Sequence, residues 1–319
     1  MVLLKLKSRT RSVKVPSTLE VPTTATIDDL RKLLHSHTRL NVNRQRLTLE
    51  NKTALTNPSQ TLEAAGVNEG DIVYVKDLGP QISWTTVFVV EYLGPILIHP
   101  IFYYSGLQKL IYGREFEHSN VQYAVLIMVI LHFLKREYET LFVHRFSLDT
   151  MPAFNIFKNS AHYWFLSGFN LAYWVYGPWA AKNNLSQNAL YACIAAWVFA
   201  QISNYKCHAI VRDLRPAGSR ERRIPRGYGF NLVSFPNYFF ETMGWTIVAL
   251  MTRSLAAYLF LIVSSGQMLV WAIKKHQRYR KEFRDYPRGR KAIVIATYIA
   301  HICTCPSRKF PVIRTIVHC

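Results

Sequence analysis

The sequence predicts an amino-terminal α+β domain followed by an all-α membrane domain of about six transmembrane helices. Residues 1–80 are polar and mixed in charge, whereas the rest of the chain alternates long apolar stretches with short basic ones. A chain of 319 residues is long enough for about two domains. The change in composition near Gly79-Pro80 therefore predicts a first domain of residues 1–78 and a second of residues 79–319.

The first domain has the pattern of two strands, a helix and two further strands. Residues 2–7 and 12–15 alternate apolar and polar side chains, as half-buried strands do. Thr26 is a typical N-cap, and acidic residues follow it in the first helical turn. Residues 45–49 and 71–75 supply the later strands. We expect this domain to have a structural or docking role.

Six stretches of the second domain are candidates for transmembrane helices, since crossing a bilayer takes about twenty mostly apolar residues. They cover residues 83–104, 119–142, 160–181, 186–204, 234–252 and 254–274. The second stretch is the weakest, because Lys135, Arg136 and Glu137 interrupt its end. The basic segments 204–230 and 274–291 should lie on one side of the membrane. An even number of helices then places both termini in the cytosol.

The charge of the chain is strongly positive, with 39 Lys and Arg against 19 Asp and Glu and a net charge of +20. Because this charge lies largely between apolar stretches, it indicates contact with membrane lipid headgroups or an anionic cofactor, and no nucleic acid is expected. The five cysteines form no CxxC pair and have no zinc-like spacing, so no metal is expected.

Polar residues recur at helical spacing near the last apolar stretches, which brings them onto shared helix faces. Three such faces are Asn204, His208, Arg212 and Arg215; Tyr238, Glu241 and Trp245; and His276, Tyr279, Phe283 and Tyr286. Polar groups at membrane depth indicate a functional site, since lipid offers them no hydrogen bonds. The alternative for the two arginines is that they solvate a helix end or contact lipid phosphates.

Several motifs resemble those of the steroid 5α-reductase superfamily, and within it the very-long-chain trans-2-enoyl-CoA reductases of the endoplasmic reticulum. The motifs are Asn204-x-x-x-His208, Leu214-Arg215-Pro216, Pro236-Asn237-Tyr238-x-x-Glu241, His276-x-x-Tyr279, Asp285-Tyr286-Pro287, Gly79-Pro80-Gln81 and Glu91-Tyr92-x-Gly94-Pro95. The first domain resembles ubiquitin-like (β-grasp) domains, and such a domain is also found in the enoyl reductase branch.

The resemblance implies a multi-pass enzyme of the endoplasmic reticulum membrane that reduces long-chain enoyl-CoA with NADPH. This reaction is the last step of fatty-acid elongation, so other elongation enzymes are expected partners. The alternatives are a sterol or polyprenol double-bond reductase on the same scaffold, and a non-catalytic membrane adaptor. No GxGxxG motif is present, so helices and their loops would hold the cofactor.

Three residues are candidates for the chemistry. Tyr238 is the predicted proton donor or enolate stabiliser, with an interfacial aromatic residue as its alternative. Gln81 could donate to a carbonyl oxygen, and Glu91 could pair with another helix, bind a cofactor hydroxyl or deliver a proton. The expected cofactor residues are Asn204, His208, Arg212, Arg215, Asn237, Glu241, His276, Tyr279 and Tyr286. Some basic residues between 212 and 226 could bind the phosphates of CoA instead.

Overall fold

The computed structural model describes residues 1–104, 107–146, 149–214 and 222–293. Arg215, which the sequence places in the cofactor site, and the basic tail 294–319 lie outside the described residues. The chain divides into two compact units. The first contains Met1–His99 and Phe133–Phe169, and the second contains Pro100–His132, Asn170–Pro216 and the residues from Arg222 onward.

A four-stranded mixed sheet and one helix begin the first unit, and they confirm the predicted amino-terminal α+β region. The elements are β1 (Val2–Ser8), β2 (Thr18–Val21), α1 (Ile27–Thr38), β3 (Gln45–Leu49) and β4 (Ile72–Asp77). The strand order is β2-β1-β4-β3, with β1 and β4 parallel and both other pairs antiparallel. The buried residues described for the core of this region run from Leu4 to Val75.

The second strand was predicted too early in the chain. Residues 12–15 are not a strand; the strand is β2, which begins at Thr18. A turn closes at Val13, whose N–H donates to the carbonyl of Thr10. Pro16 then stands before β2 and has no N–H to contribute to a ladder. Val13 and Val15 pack against the core without joining the sheet.

Helix α1 begins where the sequence predicts. The Thr26 hydroxyl accepts from the Asp29 N–H, and the Asp29 carboxylate accepts from the Thr26 N–H at 2.9 Å. The hydrogen bonds that the Thr26 N–H and hydroxyl donate to this carboxylate lower the pKa of Asp29 below its usual value. The helix ends at Arg39, which adopts the left-handed conformation with φ of 58°. Leu30 and Leu34 anchor the helix on the sheet.

The remaining chain is mostly helical, as predicted. A short strand β5 (Gln81–Ser83) pairs antiparallel with β6 (Thr150–Pro152). The helices are α2 (Trp84–Tyr104), α3 (Leu107–Tyr112), α4 (Asn120–Tyr138), α5 (Asn155–Ala161), α6 (Leu171–Val175), α7 (Gln187–Asp213), α8 (Pro236–Thr252) and α9 (Leu255–Glu282). Two of the described helices, α2 and α9, are long and apolar enough to cross a membrane. They associate the chain with a membrane, and the number of six helices stays a prediction.

The stretch at 160–181 departs from one regular helix. A π-helical segment, His162–Asn170, joins α5 to α6, and the helix ends at Val175 before a turn at Gly177 and Pro178. In the first unit this segment packs closely on α2. The Trp164 indole N–H donates to the carbonyl of Val90 at 2.8 Å, and its ring lies directly over Gly94.

In the second unit, α8 packs between α7 and α9. Gly244 on α8 lies against the Gln201 side chain on α7, where a β-carbon would stand 2.8 Å from the amide nitrogen. At the carboxyl end of α8, the Asn183 amide donates to the carbonyls of Met251 and Thr252 at 2.9 and 3.2 Å. Close packing and this cap hold the three helices in a fixed arrangement.

Candidate active site

The predicted polar faces of α7 and α8 meet in the second unit. The Asn204 amide donates to the main-chain carbonyl of Asn237 at 2.8 Å, and Asn204 is buried. The Asn237 amide lies 3.4 Å from Nε2 of His208. Pro236 is the first residue of α8, where its missing N–H costs no hydrogen bond. These contacts fix the first turn of α8, which carries Tyr238.

The predicted face of α9 joins the same region through a serine that the sequence analysis did not single out. Oγ of Ser234 lies 2.6 Å from Nδ1 of His276, 2.5 Å from the Tyr286 hydroxyl and 3.2 Å from the Lys291 carbonyl. The Ser234 hydroxyl can donate to the Lys291 carbonyl, while its contacts with His276 and Tyr286 can run in either direction, since an imidazole nitrogen and a phenol can each donate or accept.

Tyr238 lies beside a cation and an aromatic stack. The Lys275 ammonium on α9 donates to the Tyr238 hydroxyl oxygen at 3.1 Å. The ring of Phe235 stacks between Tyr238 and Tyr279, with ring centroids 5.6 and 6.1 Å away. Tyr279 stacks in turn on Tyr286 at 5.7 Å. The structure thus brings together the Tyr238, Tyr279 and Tyr286 predicted from separate motifs, and it adds Lys275.

Glu241 lies one turn after Tyr238 on α8 and faces a histidine of α4. Nε2 of His132 is 3.2 Å from the Glu241 carboxylate, and Nδ1 is 3.0 Å from the Gln201 side-chain oxygen. His132 is buried and packs edge-on against Trp245. The sequence analysis missed His132, because a single polar residue within an apolar helix gives no periodic signal.

Arg290 is a buried cation of the same region that the sequence analysis also missed. It is 5% exposed, and one terminal nitrogen donates to the carbonyl of Pro225 at 3.1 Å. The guanidinium lies 5.2 Å from the centre of the Tyr286 ring. Within the described part of the chain its Nε has no hydrogen-bond partner. A buried guanidinium with an unused donor fits an anionic group such as a cofactor phosphate.

Arg212 lies in the last turn of α7 and binds the neighbouring Asp213 carboxylate at 2.7 and 3.1 Å. Its side chain is 31% exposed. A role in binding phosphate stays a prediction for Arg212, as it does for Arg215.

Gln81 and Glu91 belong to the first unit, so a meeting with Tyr238 stays a prediction for both. The Gln81 amide donates to the carbonyls of Leu78 and Gly79 at 3.2 and 3.3 Å, and its oxygen accepts from Thr150 at 3.4 Å. Gln81 therefore braces the strand pair β5–β6. Glu91 is 1% exposed on α2, with one carboxylate oxygen lacking a hydrogen-bond partner in the described chain.

Two of the three charged residues that interrupt the end of the second apolar stretch, Lys135 and Arg136, are partnered in the first unit. Arg136 donates to the Tyr92 hydroxyl at 2.9 Å and to the buried Glu139 carboxylate at 2.6 Å. Lys135 contacts the other oxygen of Glu139 at 3.0 Å. Pairing of this kind allows charged side chains to remain on a helix that is otherwise apolar.

Comparison with known proteins identifies the family of this chain. The family described as 3-oxo-5-alpha-steroid 4-dehydrogenase matches residues 149–298, which include α7, α8 and α9. A very-long-chain enoyl-CoA reductase of Dictyostelium discoideum is 41% identical over 92% of this chain and 99% of its own length. This chain belongs to the very-long-chain enoyl-CoA reductase family.

Other members of the enoyl-CoA reductase family extend the comparison. A Schizosaccharomyces pombe protein named as an enoyl reductase is 53% identical over 91% of this chain and 98% of its own length. A mouse protein named trans-2,3-enoyl-CoA reductase-like is 29% identical over 86% of this chain and 78% of its own length. The family resemblance read from the motifs is thereby confirmed.

Proposed function

We propose that this protein reduces very-long-chain trans-2-enoyl-CoA to the saturated acyl-CoA with NADPH, and that Tyr238 supplies the proton. This reaction would complete the fatty-acid elongation cycle. The observation that carries the proposal is the contact of 3.1 Å between the Lys275 ammonium and the Tyr238 hydroxyl, beside the polar faces of α7 and α9. The names of full-length relatives support the substrate class.

The reaction adds two hydrogens across a carbon–carbon double bond conjugated to a thioester. NADPH, when bound, supplies the hydride that forms the new bond to the β-carbon. The π electrons then move toward the thioester oxygen, and the α-carbon takes up a proton. A hydrogen-bond donor at that oxygen lowers the barrier, because negative charge develops there.

Tyr238 suits both tasks. Its phenol O–H can donate a hydrogen bond to the thioester oxygen while negative charge builds there, and then transfer its proton to the α-carbon. The Lys275 ammonium stabilises the charge left on the phenol oxygen. The stack on Phe235 holds the ring in one orientation. Gln81 would add a second, neutral donor to the thioester carbonyl, and Glu91 would help proton delivery, if the two units bring them to the substrate.

The residues present fit a nicotinamide cofactor. Arg290 offers a buried cation with an unused Nε donor, which suits a phosphate. His276 adds an imidazole on α9, which Ser234 contacts at Nδ1. Asn237 and Tyr279 add an amide and a phenol on neighbouring helices. Of the remaining predicted residues, Asn204 and His208 act by fixing Asn237.

We further propose a ubiquitin-like amino-terminal domain of residues 1–78 in the cytosol and a multi-pass domain in the endoplasmic reticulum membrane. The parallel pair β1–β4 between two antiparallel pairs supports the first part. Contacts with other elongation enzymes belong to the same proposal. The apolar helices α2 and α9 support membrane insertion.

The test is NADPH oxidation by the full-length protein in detergent, with a long trans-2-enoyl-CoA, a 4-ene-3-ketosteroid and a polyprenal as parallel substrates. We expect NADPH oxidation with the enoyl-CoA, and one saturated acyl-CoA formed for each NADPH oxidised. Oxidation with the ketosteroid or the polyprenal alone would assign the alternative substrate class. A protein that oxidises NADPH with none of them would contradict the proposal.

A further inference from the structure

We propose that His132 is a positioning residue, which fixes the Glu241 carboxylate in the orientation that binds NADPH. The inference rests on the proposed function, because it presupposes that Glu241 belongs to the cofactor site. It adds a residue of α4 to a site whose described predicted members lie on α7, α8 and α9 or, in the case of Tyr286, just after α9.

The contact geometry defines the role. Nε2 of His132 faces the Glu241 carboxylate at 3.2 Å, and Nδ1 faces the Gln201 side-chain oxygen at 3.0 Å. The side chains of His132 and Glu241 are 4% and 17% exposed. Since little water reaches either group, a carboxylate in this position needs a donor from the protein. Nε2 of His132 supplies it, and the ring donates to both oxygens when both of its nitrogens carry protons.

The packing around His132 restrains the ring. The indole of Trp245 meets the imidazole edge-on at 5.0 Å, and Trp245 is itself wedged against Phe260 at 4.6 Å. The Gln201 amide, which contacts Nδ1 of His132, lies in turn against Gly244. A ring held by these contacts restrains the orientation of the Glu241 carboxylate.

The position of Glu241 explains why its orientation matters. It lies three residues after Tyr238, so both side chains project from the same face of α8. An ionised carboxylate only accepts hydrogen bonds, and NADPH offers it ribose hydroxyl and amide N–H donors. An oriented acceptor binds such donors more tightly than a mobile one, because less conformational entropy is lost on binding.

Two amide substitutions separate the contacts of His132. In His132→Gln the side-chain nitrogen stands three bonds beyond Cβ, as Nε2 does, so it can still donate to Glu241. In His132→Asn the nitrogen stands two bonds beyond Cβ, as Nδ1 does, so it retains the contact to Gln201 and loses the one to Glu241. A residue that served only to join α4 to α7 would be replaced better by asparagine.

The experiment is steady-state kinetics of the full-length protein in detergent, with NADPH varied at a saturating long enoyl-CoA. We expect His132→Asn to raise the KM for NADPH about 10-fold or more, as loss of a hydrogen bond to a charged group does. The kcat should fall far less. His132→Gln should keep the KM within about 3-fold of the wild type. Thermal melting identifies any variant that has lost its fold.

A double variant keeps the test decisive. If His132 acts through Glu241, His132→Asn has no further effect on the KM for NADPH in a Glu241→Gln background. Equal KM values for His132→Asn and His132→Gln, or additive effects in the double variant, would overturn the inference. A wild-type protein that oxidises no NADPH would contradict the proposed function itself, and this result differs from a failure confined to the variants.

Discussion

The Lys275–Tyr238 contact decides what the phenol can do. The ammonium can only donate hydrogen bonds, so the phenol oxygen accepts from it through a lone pair. The phenol O–H is then left to donate to another acceptor, such as the thioester oxygen. The positive charge 3.1 Å from the phenol oxygen also stabilises the negative charge that forms there after proton transfer.

Replacing Lys275 by methionine tests this role at residue scale. We expect kcat for enoyl-CoA reduction to fall about 10- to 100-fold, because a placed cation is lost in the transition state. The KM for NADPH should change little. Lys274→Met is the matched control, since the neighbouring exposed lysine projects from a different face of α9. Equal losses in both variants would show that general surface charge is responsible.

At the scale of elements, α2 and the π-helical segment His162–Asn170 form a tightly packed pair in the first unit. A β-carbon on Gly94 would stand 2.3 Å from the Trp164 ring, and one on Gly168 would stand 2.8 Å from the end of the Ile98 side chain. Glycine is therefore required at position 94 so that the Trp164 ring can approach the backbone of α2, although glycine is a poor helix former. The Trp164 hydrogen bond to the Val90 carbonyl sets the register of the two elements.

Gly94→Ala should destabilise this pair, because the indole has to move to admit the methyl group. Overpacking of this kind costs about 1–3 kcal/mol, which should appear as a lower melting temperature in detergent. Gly266→Ala on α9 is the control, since nothing lies within 4 Å of a β-carbon there. That substitution should be neutral or slightly stabilising. Equal melting temperatures for the two variants would contradict the packing described.

The strand pair β3–β4 ends in an ion pair that should respond to pH. Arg44 donates twice to the Asp77 carboxylate, at 3.0 and 2.6 Å, and this pairing lowers the pKa of Asp77 below its usual value. A lowered pKa contributes stability above about pH 3.9, the value of an unperturbed Asp. That contribution is lost as the pH falls through the lower folded value.

Amide hydrogen exchange of the full-length protein measures this effect locally. Protection of the β3 and β4 amides, relative to intrinsic exchange, should be constant above about pH 5 and decrease below about pH 3.9. Asp77→Asn should remove most of this decrease, because it leaves no carboxylate to protonate. A pH dependence that is the same in the variant would show that other carboxylates cause it.

At the scale of the whole molecule, the sequence predicts those features that depend on neighbouring residues. The capped helix α1, the change from sheet to helices and the polar faces of α7, α8 and α9 all follow from local spacing. The second strand was predicted at 12–15, because apolar and polar residues alternate there. The missing N–H of Pro16, which follows directly, was not taken into account. The π-helical segment His162–Asn170 was missed, because the apolar stretch 160–181 was taken as one regular helix.

The missed site residues have partners that are distant in the chain. Ser234 contacts His276, which lies 42 residues later in the chain. Lys275 contacts Tyr238, which lies 37 residues earlier. Which side chains meet across two helices depends on the rotation of each helix about its axis, and packing determines that rotation. Lys275 also lies within a run of basic residues, and Arg290 lies among other basic residues beyond α9. Local spacing gives no signal for either.

The measurement that tests the central claim most directly compares the wild type with Tyr238→Phe. Both proteins would be assayed in detergent for NADPH binding and for reduction of a long trans-2-enoyl-CoA. We predict that the variant binds NADPH with an affinity within about 3-fold of the wild type and loses at least about 100-fold in kcat. A variant that reduces the enoyl-CoA at the wild-type rate would contradict the claim that Tyr238 supplies the proton.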